Sequence, residues 1–145
     1  MLLVAAVAGF FTIIVFINIS DYQTNWELVK LVLGMTKINH SPDIIWHAIT
    51  NEALQRLIYG AIIAYEAIVA IVCWWGVYTI YRKKSYKVAS IGIGMGVLLY
   101  FFGFGVVAGE WFAVWQYRKS VQYTAYLLSI LLLLIMLFIN QNEKT

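Results

Sequence analysis

Four long apolar stretches dominate this chain of 145 residues, approximately residues 1–19, 56–81, 88–109 and 123–139. A bilayer has a hydrocarbon core about 30 Å thick, which a helix of roughly 20 residues crosses. Each stretch is close to or above that length. Because a spanning segment must satisfy its backbone hydrogen bonds internally, each stretch should be a helix. The sequence therefore predicts one all-α membrane domain, a four-helix bundle of four transmembrane helices.

The composition excludes the soluble classes of protein. Hydrophobic residues make up 63% of the chain and charged residues only 12%, whereas a soluble domain is about 25% charged. The basic residues lie between two apolar stretches and not on a soluble basic face, so no nucleic-acid partner is expected. The lipid bilayer is the expected surrounding.

A basic loop between the second and third spans predicts the orientation. It contains Arg82, Lys83, Lys84 and Lys87 within six residues. Short loops rich in Lys and Arg remain in the cytoplasm. With four spans, this places both termini in the cytoplasm (N-in, C-in) and the loops 20–55 and 110–122 outside.

The outer loop 20–55 contains helix-start signals. Thr24 and Glu27 form a capping box, which predicts an amphipathic helix over 25–34 lying on the membrane surface or covering the bundle. Two further starts follow: Ser41-Pro42 before a short helix over 42–49, and Asn51-Glu52 before the second span.

Four segments have a pattern in common with a known family. They are Asp21-Tyr22 with Leu33-Gly34-Met35, the block Trp46-His47-Ala48-Ile49, the span core Ala64-Tyr65-Glu66-Ala67, and Gly109-Glu110-Trp111-Phe112-Ala113-Val114-Trp115-Gln116. Over nearly its whole length the chain resembles the bacterial family of predicted small integral membrane proteins of unknown function. The resemblance implies a four-span protein of the bacterial inner membrane and implies no activity.

Glu66 is the single acid inside the second apolar stretch. A carboxylate at the centre of a span costs on the order of 2.5–3.5 kcal/mol, so Glu66 must face the bundle interior or be protonated. Counting along the spans places Glu66 near the midplane, at a depth similar to Thr12, Tyr100 and Ser129, which are candidate hydrogen-bond partners. Two interpretations remain open: a proton, ion or ligand site, or a hydrogen bond that only joins helices.

Glycines recur at helical spacing in the third span. Gly92, Gly96 and Gly103 fall on one face of an ideal helix, and Gly105 with Gly109 forms a second small-xxx-small pair. Such faces allow close approach of a neighbouring helix. The neighbour is either a helix of this chain or a helix of a partner protein.

A second candidate site lies in the outer loops. Glu110, Trp111 and Trp115 follow the third span, and Asp43 and His47 share a face of the predicted loop helix. Together they are interpreted either as an interfacial anchor or as a rim that binds a cationic or amphipathic ligand.

Metal and cofactor sites have little support in the sequence. His40, Asp43 and His47 form the one candidate metal set, but their spacing is not that of a defined site. No span contains a histidine that would hold haem. No metal, no cofactor and no catalytic residue is therefore predicted.

The sequence favours a non-enzymatic protein. The leading hypothesis is an accessory or interaction subunit of a larger inner-membrane complex, bound to another membrane protein. It rests on the small size, the glycine face and the folded outer loop. The alternatives are a homo-oligomeric transporter or channel that uses Glu66, and a small-ligand or lipid-binding protein that uses the outer rim.

Overall fold

The computed structural model describes residues 1–38 and 42–142, and every regular element in those residues is helical. Four helices are long and apolar enough to cross a membrane. They cover Leu2–Ser20, Glu52–Lys83, Lys87–Trp111 and Lys119–Gln141. The predicted all-α architecture with four spanning helices is confirmed.

The elements follow a simple order along the chain. They are α1 (Leu2–Ser20), α2 (Tyr22–Leu33), a 3₁₀ helix (Pro42–His47), α3 (Glu52–Lys83), α4 (Lys87–Leu98), a π-helix (Leu99–Trp111), a second 3₁₀ helix (Val114–Gln116) and α5 (Lys119–Asn142). The π-helix continues α4 without a break, so α4 and the π-helix together form the third span.

The spanning helices alternate in direction, and the bundle therefore has two distinct ends. We call the end with residues 82–87 the basic end, and it also holds the start of α1 and the end of α5. The opposite end, covered by residues 21–38, 42–51 and 112–118, is the capped end. α1 packs on α3, α3 on α4 and α4 on α5, whereas α1 touches α5 much less.

Helix starts in the loop agree only partly with the sequence prediction. The capping-box prediction for Thr24 is wrong, because α2 begins at Tyr22 and Thr24 lies inside it. Glu27 instead accepts a hydrogen bond from Gln23 at 2.9 Å. The predicted cap Ser41 lies outside the described residues.

The cap of the second span is confirmed. The side chain of Asn51 accepts a hydrogen bond from the backbone N–H of Leu54 at 3.1 Å. Because Asn51 already caps the helix, α3 begins at Glu52, one turn before the predicted start of the span.

Close packing concentrates in the basic half of the bundle. A Cβ added to Gly76 of α3 would lie 2.6 Å from the Cα of Ala89, so α3 and α4 touch backbone to backbone. Gly92 meets Cys73 in the same way, and Gly96 is covered by the ring of Phe11. The glycines of α4 therefore pack against helices of this chain.

The π-helix changes the register of the third span. Its wider turn rotates the residues after Leu98 relative to an ideal α-helix. The prediction that Gly103 shares the packing face of Gly92 and Gly96 is therefore wrong: a Cβ on Gly103 would meet only Leu99 of its own helix, at 3.7 Å.

The second glycine pair packs on α5. A Cβ on Gly105 would lie 2.5 Å from the ring of Tyr126, and one on Gly109 would lie 2.5 Å from Nε2 of Gln122. Because these two glycines have no side chain, the capped half of the third span packs closely on α5. It lies further from α3.

The two loops at the capped end pack on each other. Leu33, Met35 and Ile38 from the first loop share a buried apolar cluster with Phe112 and Ala113 from the second. The backbone N–H of Ile49 also donates to the carbonyl of Leu33 at 2.8 Å, which closes the first loop on itself. This cover forms a second, smaller core beside the bundle.

Candidate functional site

A cavity of about 370 Å³ lies in the capped half of the bundle, and Glu66 is part of its wall. α1, α2, α3, the π-helix and α5 all contribute to the wall. We call this space the polar cavity, because its lining includes Asn18, Asn25, Tyr59, Glu66, Tyr100, Ser120 and Thr124.

Glu66 is buried, with only 2% of its surface exposed. Its Oε2 accepts a hydrogen bond from Nδ2 of Asn18 at 2.7 Å. The hydroxyl of Tyr59, about two turns before Glu66 on the same face of α3, donates to the backbone carbonyl of Asn18 at 3.2 Å. Asn18 therefore joins α1 to α3 through both its side chain and its backbone.

These bonds also set the position of Glu66 along the bundle. Asn18 lies in the last turn of α1, so Glu66 and Tyr59 lie near the capped end of that helix. In α3 itself, which covers Glu52–Lys83, Glu66 lies near the middle. The first turns of α3 extend beyond the end of α1, so the two helices give different depths for the same residue when counted from their ends.

The structure separates the three predicted partners of Glu66. Tyr100 lines the polar cavity together with Glu66. The hydroxyl of Thr12 donates to the carbonyl of Ala8 at 2.8 Å. The hydroxyl of Ser129 donates to the carbonyl of Ala125 at 2.7 Å. Ser129 thus satisfies its hydroxyl within its own helix, whereas Thr12 also accepts a hydrogen bond from Nε1 of Trp74 of α3 at 3.1 Å.

A second space of about 500 Å³, the apolar chamber, adjoins the polar cavity. The two share five lining residues: Leu28, Val29, Ile62, Phe104 and Val121. All the described residues that line the chamber are apolar, and they come from α2, α3, the π-helix, α5 and the cover of the capped end.

Both spaces exist because helices diverge in the capped half. α3 packs closely on α4 but barely approaches the π-helix, which leans on α5. The polar cavity separates α1 from α5, and its lining residues Ser120 and Thr124 are exposed. Phe102 in the wall of the chamber is 58% exposed. Exposed residues therefore border both spaces.

The cavity is closed toward the basic end. Below Glu66 on the same side of α3, Val69, Ala70 and Cys73 are buried in the main apolar core. Phe11 and Leu132 meet over Gly96 and close the gap between α1 and α5. The described residues provide no polar path from Glu66 to the basic end.

The predicted outer rim forms only in part. Nε2 of His47 lies 2.7 Å from the carbonyl oxygen of Trp111. The two rings are also close, with centroids 4.6 Å apart. Trp46, which the prediction omitted, contacts both rings at centroid distances of 5.0 and 6.2 Å. These three residues form a ring cluster at the capped end.

The other predicted rim residues lie elsewhere. Glu110 accepts a hydrogen bond from Nε2 of Gln122 at 2.6 Å, which ties the π-helix to α5. Asp43 and Trp115 are exposed, and the described contacts of the ring cluster do not include them.

A metal set is not formed by the described part of the chain. No three His, Cys, Asp or Glu side chains come together within it in a group that would hold a metal ion. His40, which belonged to the candidate set, lies outside the described residues.

Sequence reasoning missed Asn18 and Tyr59, the residues that bond to each other beside Glu66. Asn18 is the one amide within the first apolar stretch, and that was the available signal. A buried amide in a span needs a hydrogen-bond partner, and such partners are found across helices.

Comparison with known proteins gives one match. Residues 1–142 match the family DUF2165, described as predicted small integral membrane protein. No curated protein and no solved structure matches the chain. Together with the four apolar helices, the family match over nearly the full length shows that this chain belongs to DUF2165, a family of predicted small integral membrane proteins.

Proposed function

We propose that this protein is a non-enzymatic membrane protein that binds a small molecule dissolved in the bilayer, at the polar cavity beside Glu66. The observation that carries the proposal is a buried carboxyl group in the wall of a cavity between helices, which exposed residues of α5 border. Intramembrane acids are rare and costly, and they mark functional sites more often than chance.

The size and lining of the two spaces support a ligand site. Ligand pockets occupy roughly 300–1,000 Å³ and combine mostly apolar walls with a few placed polar groups. The polar cavity, at about 370 Å³, and the adjoining apolar chamber, at about 500 Å³, fall in this range. Among the described residues, polar side chains line the polar cavity and not the apolar chamber. A bound ligand would therefore have one orientation, with its polar group in the polar cavity.

The closed basic half favours binding over conduction. A channel or transporter needs a path past Glu66, and the residues below it form a dry core of Val69, Ala70 and Cys73. In the basic half of the bundle, α3 and α4 are in direct contact at Gly76 and Ala89. A path through this half could therefore open only if α3 and α4 separated. The transporter hypothesis would require a second arrangement of the helices.

The test is photo-crosslinking in vesicles of phosphatidylcholine. A dodecanol derivative with a diazirine on its chain should label residues that line the chamber, such as Phe104 and Val121, and excess dodecanol should suppress this labelling. The variant Gly103→Leu fills the chamber, since Gly103 lines it and has space for a side chain. It should lose the saturable labelling.

The matched control is Gly60→Leu. A Cβ on Gly60 would meet nothing within 4 Å, so this substitution adds the same side chain on the lipid-facing side of α3. It should label as the natural protein does. Labelling confined to lipid-facing residues, or labelling that excess dodecanol does not suppress, would overturn the proposal.

An interaction role is a second candidate, and one observation favours it. Gly60, Ala61 and Ala64 are all exposed on α3, and small residues allow another helix to approach closely. Native mass spectrometry after mild extraction would show a heteromeric mass if the protein is an accessory subunit. Gly60→Leu should then release the partner, whereas a mass of one or more copies of this chain alone would refute the role.

We also propose the location and orientation that the basic loop predicts. The start of α1 and the end of α5 share the basic end with residues 82–87. Under the positive-inside rule this end faces the cytoplasm. The capped end, with the ring cluster, then faces outward across a bacterial inner membrane.

A further inference from the structure

We infer that the ligand is a lipophilic amine, with its cation at Glu66 in the polar cavity and its apolar body in the chamber. The inference rests on the proposed function and specifies the class of molecule bound. Three observations support it. The one charged residue in the described lining of the polar cavity is acidic, the polar cavity adjoins a chamber with an apolar lining, and aromatic rings lie beside the carboxyl group.

The charge of the lining selects a cation. Glu66 supplies the one carboxyl group among the described residues that line the polar cavity, and none of those residues is Lys, Arg or His. An anionic head, such as a fatty-acid carboxylate or a phosphodiester, would face Glu66 without a compensating positive group. Burying such a charge unpaired is strongly unfavourable.

The hydrogen bonds around Glu66 leave the carboxyl in need of a donor. Asn18 donates to Oε2 alone. The amide of Asn18 cannot neutralise a carboxylate, and no basic side chain lines the cavity. An ammonium group offers both a positive charge and up to three donors in one small group.

Aromatic rings add to the preference for a cation. Tyr59 and Tyr100 both line the polar cavity with Glu66. The faces of such rings attract ammonium groups, and the attraction grows when the site is shielded from water. Tyr100 is also held in place by ring contacts with Phe10, Phe11 and Phe104, with centroids 5.6–6.2 Å away.

The chamber accounts for the rest of the ligand. It adjoins the polar cavity through shared residues, among them Ile62 and Phe104, and its described lining contains no polar side chain. A molecule that is polar along its whole length would leave its groups unpaired there. A single charged head on an apolar body matches both spaces at once.

The test compares three competitors that share one chain and differ in the head: dodecylamine, dodecanol and dodecanoic acid. Each competes with the diazirine probe for labelling of Phe104 and Val121 in phosphatidylcholine vesicles. Dodecylamine should compete at a concentration about tenfold or more below that of dodecanol, because its ammonium adds a positive charge to the hydrogen bond that the alcohol can also donate to Glu66. Dodecanoic acid should be the weakest.

Variants assign the preference to Glu66. Glu66→Gln keeps an oxygen that accepts from Asn18 and removes the negative charge, so the advantage of dodecylamine over dodecanol should disappear while dodecanol competes as before. Glu27→Gln is the control, since it removes one carboxylate from the exposed side of α2 and should preserve the advantage. Phe104 labelling by the probe alone confirms that each variant is folded.

The outcomes separate the two proposals. Saturable labelling with equal competition by all three heads would overturn the amine assignment and leave ligand binding in place. Preference for dodecanoic acid would also overturn it. Absence of saturable labelling in the natural protein would overturn ligand binding itself, and the amine assignment with it.

Discussion

Asn18 of α1 donates a hydrogen bond to Glu66 of α3 across a helix interface, with Nδ2 and Oε2 2.7 Å apart. The pair is 48 positions apart in the chain, so it forms only when the first two spans come together. The backbone carbonyl of Asn18 also accepts a hydrogen bond from the hydroxyl of Tyr59. This junction is both a packing contact and part of the wall of the polar cavity.

A double-mutant cycle should detect the energy of this junction. We expect Asn18→Ala and Glu66→Ala to be less than additive, with a coupling free energy of roughly 0.6–2 kcal/mol, the range for hydrogen bonds between membrane helices. The measurement is the free energy of unfolding in mixed micelles. Thr12→Ala with Glu66→Ala is the control pair, since Thr12 bonds to Ala8 and Trp74 and not to Glu66; an equal coupling there would contradict the assignment.

A side chain added at Gly76 should destabilise the protein, because Gly76 is in close contact with Ala89. Gly76→Ala places a methyl group 2.6 Å from a backbone atom, which forces α3 and α4 apart. We expect a loss of about 1–3 kcal/mol in the free energy of unfolding, as for other overpacked cores.

Gly60→Ala is the matched control for Gly76→Ala. It makes the same substitution in the same helix, where a Cβ has nothing within 4 Å. It should be neutral or slightly stabilising, because alanine favours helix more than glycine does. Equal destabilisation by both variants would show that helix propensity, and not the α3–α4 contact, sets the effect.

The main features of the fold could be predicted from hydrophobic length alone. Lipid excludes all but helices from the apolar stretches, so the number of spans followed from counting residues. The cap at Asn51 was also predictable, because its side chain acts on its own helix. What could not be predicted was the π-helix, since no residue type in 99–111 demands it.

The π-helix explains the error at Gly103. Within it, Gly105 and Gly109 pack closely on α5, and no local pattern reveals such tertiary contacts. Likewise Asn18 was missed as the partner of Glu66, because the offset between α1 and α3 depends on how the loop folds. Interhelical register is a property of packing and not of spacing in the sequence.

Tyr117 should make stability fall at high pH. Burial raises its pKa from 10.0 to about 12, against a smaller opposing effect of Arg118. Because the folded pKa exceeds the unfolded one, the contribution of Tyr117 is complete below pH 10 and is lost between pH 10 and 12. The natural protein should therefore lose more stability over this range than Tyr117→Phe.

The same variant tests the environment of the hydroxyl at neutral pH. The Tyr117 hydroxyl is buried and has no hydrogen-bond partner within the described residues. Removing an unsatisfied buried group costs little, so Tyr117→Phe should match or exceed the natural melting temperature at pH 7. Tyr123→Phe is the control, since it removes a hydroxyl from an exposed tyrosine. A clear destabilisation by Tyr117→Phe alone would indicate a partner for the hydroxyl.

Cysteine labelling should establish the orientation. The single natural cysteine, Cys73, is buried, and Cys73→Ala provides the background. In intact cells a membrane-impermeant maleimide should label Thr36→Cys at the capped end. It should label Lys87→Cys at the basic end only after the cells are permeabilised. Both native side chains are exposed; the reverse pattern would place both termini outside.

The connection between α1 and α2 consists of the single residue Asp21. α2 is held on α3 by Trp26, whose ring stacks on Tyr59 and lies 4.5 Å below the guanidinium of Arg56. With a single residue between them, the position of α2 and that of the last turn of α1 depend on each other. Because Asn18 lies in that turn and donates to Glu66, the packing of α2 on α3 also constrains the contact that holds the carboxyl group.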